Sequence, residues 1–428
     1  MRIALPFVTF FCVLCGYFVL RPVRDEIGVR AGVEQLPWLF TATFAATLLL
    51  VPLFGWIVAR VKRRAIAAAT YTFCSALLLL TFGGLQSADI VAWGVGLFIG
   101  ISVLNLFLIS VFWSLMADSY DEGEARKMYG IIAMGGTAGA IAGPSITAAL
   151  APLIGPMNLL PISAAFLGIA AVLTMLIPRR ADAPPQQKIG GNVFAGILLA
   201  LRSPTLLRIA LIVICYTTVS TIIYFEQADI VKRAISDSGE RTRYFALLDL
   251  TNNIITVTLQ LLVTRQVLTR LGLRTALTAA PALIGIGLAA LAFFPRLALV
   301  AVLQVIHRAG EHAFTRPGRE VVYTVVNPEE RFKAKNFIDT FVYRGNDALV
   351  AWLIGALHTA GAGIVTIAAL GVAVTAGWAA NGYALGRKHD RSSGWRLAVG
   401  GWHVHVHVKL ALVHVRLASC TWSFFSCT

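Results

Sequence analysis

Stretches of about 20 residues with almost no charge recur from one end of this chain to near the other. Coiled as an α-helix rising about 1.5 Å per residue, each one is long enough to cross a hydrocarbon core about 30 Å thick. No water reaches the backbone at that depth, so each separate stretch must satisfy its own amide and carbonyl groups, and the helix does so. The composition agrees: 57% of the 428 residues are hydrophobic, 13% are charged and the mean hydropathy is +0.76. A soluble domain has about 25% charged residues. The expected fold class is an all-α membrane protein with the lipid bilayer as its surroundings.

Twelve spans are expected, near 3–22, 36–59, 65–86, 90–116, 129–152, 157–177, 206–227, 244–266, 275–294, 297–318, 336–358 and 362–386. The Pro-, Gly- and Gln-rich stretch RRADAPPQQKIGGN, Arg179 to Asn192, reads as a linker. The expected divisions are an N-terminal six-helix half (1–178), a cytoplasmic linker (179–205), a C-terminal six-helix half (206–387) and an atypical, disordered tail (388–428). Alternating His and Val at His403, His405 and His407 give the tail a strand-like period with one imidazole face, but the plain reading is an unstructured terminus.

The net charge of +15 raises the question of nucleic acid, yet the basic residues sit in short loops rather than along one soluble face. Arg60, Lys62, Arg63 and Arg64 follow the second span, Arg126 and Lys127 the fourth, and Arg265, Arg270 and Arg274 the eighth. The connections after the third, fifth and eleventh spans hold no Lys or Arg. By the positive-inside rule both ends of the bundle are cytoplasmic, and no nucleic-acid partner is expected. The cysteines of the Cys12-x-x-Cys15 pair lie within an apolar span and read as packing residues. No cofactor is implied.

Residues 316–347 depart from this pattern, with eleven charged side chains in thirty-two positions. Charge held against a membrane is costly and is commonly kept where it meets a substrate or an ion path. An internal echo sharpens the point. Arg21-Pro22-Val23-Arg24-Asp25 at the end of the first span and Arg316-Pro317-Gly318-Arg319-Glu320 at the end of the tenth both read R-P-x-R-acid. That spacing puts two guanidinium groups and a carboxylate on one helical face. Two such pairs at opposite ends of one cavity can clamp phosphates bidentately. They equally suit interfacial gates satisfied by their own Asp25 and Glu320.

Other candidates are weaker. Glu226 and Lys232 lie at helical spacing near the end of the seventh span, as a coupling pair or a snorkelled ion pair. Asp249, Asn252 and Asn253 polarise the eighth, for substrate or for hydrogen bonds to a neighbouring helix. Gly135, Gly136, Gly139 and Gly143 on the fifth span suit close helix contact. His307, Glu311 and His312 raise a metal question, but the two histidines are five apart instead of the four that one helical face requires, so no metal is expected.

These pieces together resemble one family, the ATP/ADP antiporters of plastids and intracellular bacteria, which are major-facilitator-like. The likeness rests on P-x-R-E-x-x-Y, PEERFKAK, NFID and VYRGND within 316–347, on YFVLRPVRD at 17–25, on Phe112-Trp113 with Ala117, and on Glu226 with Lys232. It covers about 7–386. The resemblance implies nucleotide-phosphate contact for Arg24, Arg319 and either Lys333 or Lys335, and a transport-essential acid at Glu226. One departure is that residues 97–115 hold no acid where nucleotide exchangers carry one.

The expected protein is a multi-pass secondary transporter of the bacterial cytoplasmic membrane, not an enzyme, exchanging nucleotides by alternating access between two halves. Arg21, Arg24, Arg316, Arg319, Lys333 and Lys335 would bind the anion; Asp25, Glu226, Lys232, Glu320, Asp339 and Arg344 would gate or couple. The rivals are a proton-coupled transporter of another organic ion or drug, and, from another class, a membrane-embedded metal enzyme or a non-transporting sensor.

Overall fold

The computed structural model describes residues 3–58, 60–61, 63–85, 90–178, 201, 203–326 and 334–392. Lys333, most of the 179–205 linker and the His/Val alternation of the tail lie outside the described residues, which hold helices and no strand. The helices are α1 (Ala4–Ala31), α2 (Leu36–Val58), α3 (Arg63–Leu85), α4 (Ile90–Ser119), α5 (Glu122–Ile154), α6 (Leu159–Leu176) and α7 (Pro204–Ala234). They continue with α8 (Ser238–Leu259), α9 (Leu273–Phe293), α10 (Leu297–Gly310), α11 (Tyr343–Thr359) and α12 (Ile364–Ser392).

Ten of them, α1 to α9 and α12, are long and apolar enough to cross a membrane. The uninterrupted parts of α10 and α11 are shorter, at 14 and 17 residues, because each adjoins a π turn. In α10 the turn is Glu311–Thr315, followed by a further helical stretch Arg316–Tyr323; in α11 it is Phe337–Val342, ahead of the helix. Two more π turns, Gln260–Thr264 and Val267–Leu271, extend α8. A π turn displaces the regular ladder and is frequent at functional sites. Here α8 covers for α10: Gln260 Nε2 donates to His312 O (3.1 Å) and Thr264 Oγ1 to Ala313 O (2.9 Å).

Local sequence explains several helix ends. Asp121 and Glu124 form a capping box at the start of α5, with Glu124 N donating to Asp121 Oδ1 at 2.7 Å. Asp237 caps α8 through Glu240 N at 2.8 Å. Asp390 of α12 accepts from Leu273 N and Arg274 N at the start of α9.

Helix lengths differ from expectation where charge was read as a boundary. α1 runs on to Ala31 and α7 to Ala234, so Arg21, Pro22, Arg24, Asp25 and Glu226 lie within helices rather than at their ends. The proline removes one amide donor, and buried carboxylates accept from the arginines, so the chain need not leave the helix to solvate them.

α1 packs on α4, α5 and α6, and α3 on α4 and α6; α9 packs on α10 and α12, and α7 on α11 and α12. The α1–α5 contact is close because of glycine. A Cβ at Gly139 would meet the Phe11 carbonyl and the Cys15 amide, and one at Gly143 the Cys15 carbonyl. The expected close-packing role of this glycine row is what the geometry displays. Cys12 and Cys15 are buried, free thiols within α1. Large apolar side chains such as Leu153, Leu261 and Leu49, each over 70% exposed, cover the outside. Acyl chains solvate such a surface as water does not.

The two sets of helices meet through α5 with α8, α1 with α7 and α8, and α2 with α11. These contacts gather around the α1–α2 and α7–α8 connections and the middle of the bundle. Trp38 and Trp352 meet edge to face at 4.9 Å, and Trp352 Nε1 donates to Thr41 Oγ1 at 2.9 Å. Arg241 of α8 donates to Glu26 of α1 at 2.8 Å. Asn253 Nδ2 donates to Ala140 O of α5 at 2.7 Å, a bond to a neighbouring helix. At the opposite end, named ion pairs close within one set: Arg63 with Asp118 at 2.7 Å, and Lys335 with Glu320 at 2.5 Å.

Candidate substrate site

Six helices converge on a central cavity of about 820 Å³, mouth included. α1 contributes Arg21 and Arg24, α2 Phe40 and Thr43, and α4 Phe98 and Ser102. α7 contributes Tyr216, Ser220, Thr221 and Tyr224; α10 contributes Gln304, Arg308 and His312; α11 contributes Tyr343, Arg344 and Asp347. Each set follows helical spacing. Gln304, Arg308 and His312 recur every four residues, as do Tyr216, Ser220 and Tyr224, so each helix turns one polar stripe inward.

Among the described residues, four guanidinium groups at this cavity meet three carboxylates, Asp25, Asp249 and Asp347, a balance of one positive charge. Arg24 Nη2 donates to Asp25 Oδ1 at 2.7 Å, and its guanidinium lies 5.8 Å over the Phe98 ring. Arg308 Nη1 donates to Asp249 Oδ1 at 2.6 Å, and the same oxygen is 3.5 Å from Arg21 Nη1. Arg344 Nη2 donates to Ser102 O (3.4 Å) across the two sets of helices, and Nη1 is 3.9 Å from Asp347 Oδ2. Thr221 Oγ1 donates to Asp347 Oδ1 at 3.3 Å. Arg21, Arg308 and Arg316 all lie within electrostatic reach of His312.

Aromatic rings form the rest of the wall. Phe40 and Tyr224 meet edge to face at 5.6 Å, and Tyr216 lies 6.1 Å from Tyr343. Tyr216 is held by a stacked His307 at 4.6 Å, whose Nε2 is 3.4 Å from Tyr216 O. The arrangement presents cationic, bidentate donors beside flat π faces, a combination that receives an anion carried on an aromatic or apolar body.

The sequence candidates divide among several places. Arg21, Arg24 and Arg344 line the cavity, with Asp25 beside Arg24. Arg316 and Arg319 do not line it; they are buried beyond the α10 π turn. Arg319 is held by Glu311 at 3.0 Å and by Asp339 at 3.6 Å. Glu320 and Lys335 pair with each other, and Lys335 Nζ sits 5.7 Å over the Tyr323 ring. Glu226 lines a separate cavity with Asp229, Arg233 and His358, and its Oε1 is 3.7 Å from His358 Nε2. Lys232 is exposed on the last turn of α7. Among the described residues no group of three or more His, Cys, Asp or Glu can hold a metal ion. Instead, His307 supports Tyr216 and Glu311 pairs with Arg319.

Sequence reading missed Arg308, Gln304 and the polar face of α7. The signal for α10 was present as a four-residue polar period, but His307, Glu311 and His312 drew attention to a metal pattern that crosses that face.

The family model described as "Major Facilitator Superfamily" matches residues 7–231, just over half of the chain. A second model, "TLC ATP/ADP transporter", matches residues 170–310. No curated protein matches the chain. Among solved structures, a mutant of the nucleoside transporter NupG superposes with a TM-score of 0.69 at 12% identity, over 90% of this chain and 100% of that one. The POT family transporter PepTSo gives 0.64 at 13%, over 90% and 98%. A bacterial homolog of the human lysosomal transporter Spinster, in an inward-facing, unoccupied conformation, gives 0.56 at 17%, over 99% and 97%. At these identities the likeness is one of fold.

Proposed function

This chain belongs to the Major Facilitator Superfamily and is a multi-pass membrane transporter, and from that premise we propose that it exchanges nucleotides of the ATP/ADP type by alternating access. The observation that carries this reading is the central cavity, where Arg21, Arg24, Arg308 and Arg344 stand beside Phe40, Phe98, Tyr216, Tyr224 and Tyr343. A nucleotide has the complementary halves: phosphates for the guanidinium groups and a planar base for the rings. The match of residues 170–310 to an ATP/ADP transporter model supports the same substrate class.

In this reading α1 to α12 are twelve spans, α10 and α11 crossing with the help of their π-turn extensions. Residues 1–178 and 206–387 form the moving halves, joined by the 179–205 linker. In this reading both ends of the bundle lie in the cytoplasm, which the distribution of Lys and Arg supports, and the membrane is the bacterial cytoplasmic membrane. The α1–α2 and α7–α8 connections then face outward, and the Trp38–Trp352 contact and the Arg241–Glu26 pair close that end. The state is inward-facing. Phosphates entering from the cytoplasm meet Arg24, Arg308 and Arg344; closing the inner end and parting the tryptophan layer would release them outside. Arg319, held by Glu311 and Asp339, and the Glu320–Lys335 pair gate the inner end, while Glu226, with His358, lies outside the substrate path.

The test is uptake of radiolabelled ATP into proteoliposomes, with or without ADP inside. Uptake that depends on internal ADP is the expected result. Folded, inserted protein that takes up no nucleotide under either condition contradicts the substrate assignment.

A further inference from the structure

Asp249 is placed to compete with the substrate for its own arginines. It is 1% exposed and lies behind the cavity wall, yet one of its oxygens, Oδ1, reaches both Arg308 Nη1 (2.6 Å) and Arg21 Nη1 (3.5 Å). Among the described residues, the second oxygen, Oδ2, and Arg21 Nε have no hydrogen-bond partner. Both guanidinium groups line the cavity. A carboxylate that served only to anchor α8 to α10 would need Arg308 alone. This one also draws in Arg21, from the other half of the molecule.

The two contacts differ in kind. The Asp249–Arg308 bond lies within the C-terminal half and is short. The Asp249–Arg21 approach crosses between the halves and is longer than a direct hydrogen bond. When the halves rock, the inner bond travels as one piece and the crossing contact must break. Two largely buried guanidinium groups side by side are unfavourable without an anion between them.

We propose that Asp249 is an internal counter-anion that holds Arg21 and Arg308 in the substrate-free carrier and competes with substrate phosphate for them. This rests on the anion-transport reading above and gives it a rule: affinity for a polyphosphate is set partly by a carboxylate that the substrate does not touch. Neutralising Asp249 leaves both arginines facing the cavity with one fewer negative charge against them. Binding of a small polyanion should then tighten, the opposite of what losing a structural ion pair does.

The experiment is titration calorimetry of inorganic pyrophosphate into the purified, detergent-solubilised full chain, comparing wild type with Asp249→Asn and Asp249→Glu. Removal of a like charge beside the binding groups is expected to tighten pyrophosphate binding about tenfold in Asp249→Asn, with Asp249→Glu close to wild type. Asp249→Ser, smaller and equally neutral, carries the same expectation if the Asn variant does not fold. Weaker or unchanged pyrophosphate binding in the neutral variants overturns the proposal, as does failure of both to fold, since either outcome makes Asp249 a structural anchor. Because pyrophosphate has no base, tightening in Asp249→Asn together with absent ATP uptake would sink the nucleotide assignment and leave the counter-anion standing.

Discussion

The R-P-x-R-acid motif occurs on α1 and again on α10, and the two copies have different surroundings. On α1, Arg21 and Arg24 open onto the cavity, and Arg24 keeps Asp25 as its close partner. On α10, Arg319 is enclosed by Glu311 and Asp339, and Glu320 is engaged by Lys335. The spacing is identical, so the same helical face is marked both times. The acids supplied by neighbouring elements decide what that face does. Around Arg319 the protein provides its own anions; around Arg21, Arg24, Arg308 and Arg344 the described residues leave one positive charge over, and the proposed anion site rests on that balance.

The comparison can be broken at three places. Arg24→Gln should reduce ATP–ADP exchange in proteoliposomes about 100-fold, because a buried charge-assisted contact to phosphate is worth about 3 kcal/mol, and should also lower the melting temperature of the empty protein, since Asp25 is left buried without its close cation. If exchange survives, the α1 copy is not the substrate's copy. Arg319→Gln should act mainly on the fold: leaving Glu311 buried without its cation costs about 3 kcal/mol, read as a lower melting temperature. An unchanged melting temperature with abolished exchange would move Arg319 into the binding machinery and erase the difference between the two copies. Lys335→Gln, at a half-exposed pair, should shift stability by less than about 1 kcal/mol and, because Arg319 with Glu311 and Asp339 still gates the inner end, lower exchange by no more than about threefold. A large loss of exchange there would put a substrate contact on the α10–α11 side.

Much of the architecture was legible in the sequence because the bilayer imposes a simple rule on length and polarity. The apolar stretches located the helices, and the glycines of α5 marked the close α1 contact at Gly139 and Gly143. The helix ends were less legible, since buried charge was read as a boundary: α1 passes straight through Arg21 and Arg24 to Ala31. Position within a helix does not reveal that a partner from another helix will meet the charge. Asp249 reaches Arg308, 59 residues away in sequence, and Arg21 on α1. The α10 stripe Gln304–Arg308–His312 was readable as a period, but which face of α10 turned inward became evident only with its neighbours in place. Arg344, expected as a gating residue, lies on the cavity wall because α11 enters between α2 and α7.

The most direct test of the central claim, that surplus guanidinium charge in the central cavity selects a phosphorylated substrate, is ligand-dependent thermal stabilisation of the purified wild-type protein and Arg308→Gln. A ligand that binds the folded state at 100 times its Kd stabilises it by about 2.7 kcal/mol, enough to raise the melting temperature measurably. The account predicts that ATP and ADP stabilise the wild-type protein, that adenosine does so far less, and that Arg308→Gln loses the difference. Equal stabilisation by adenosine and ATP, or an ATP effect undiminished in Arg308→Gln, would contradict it.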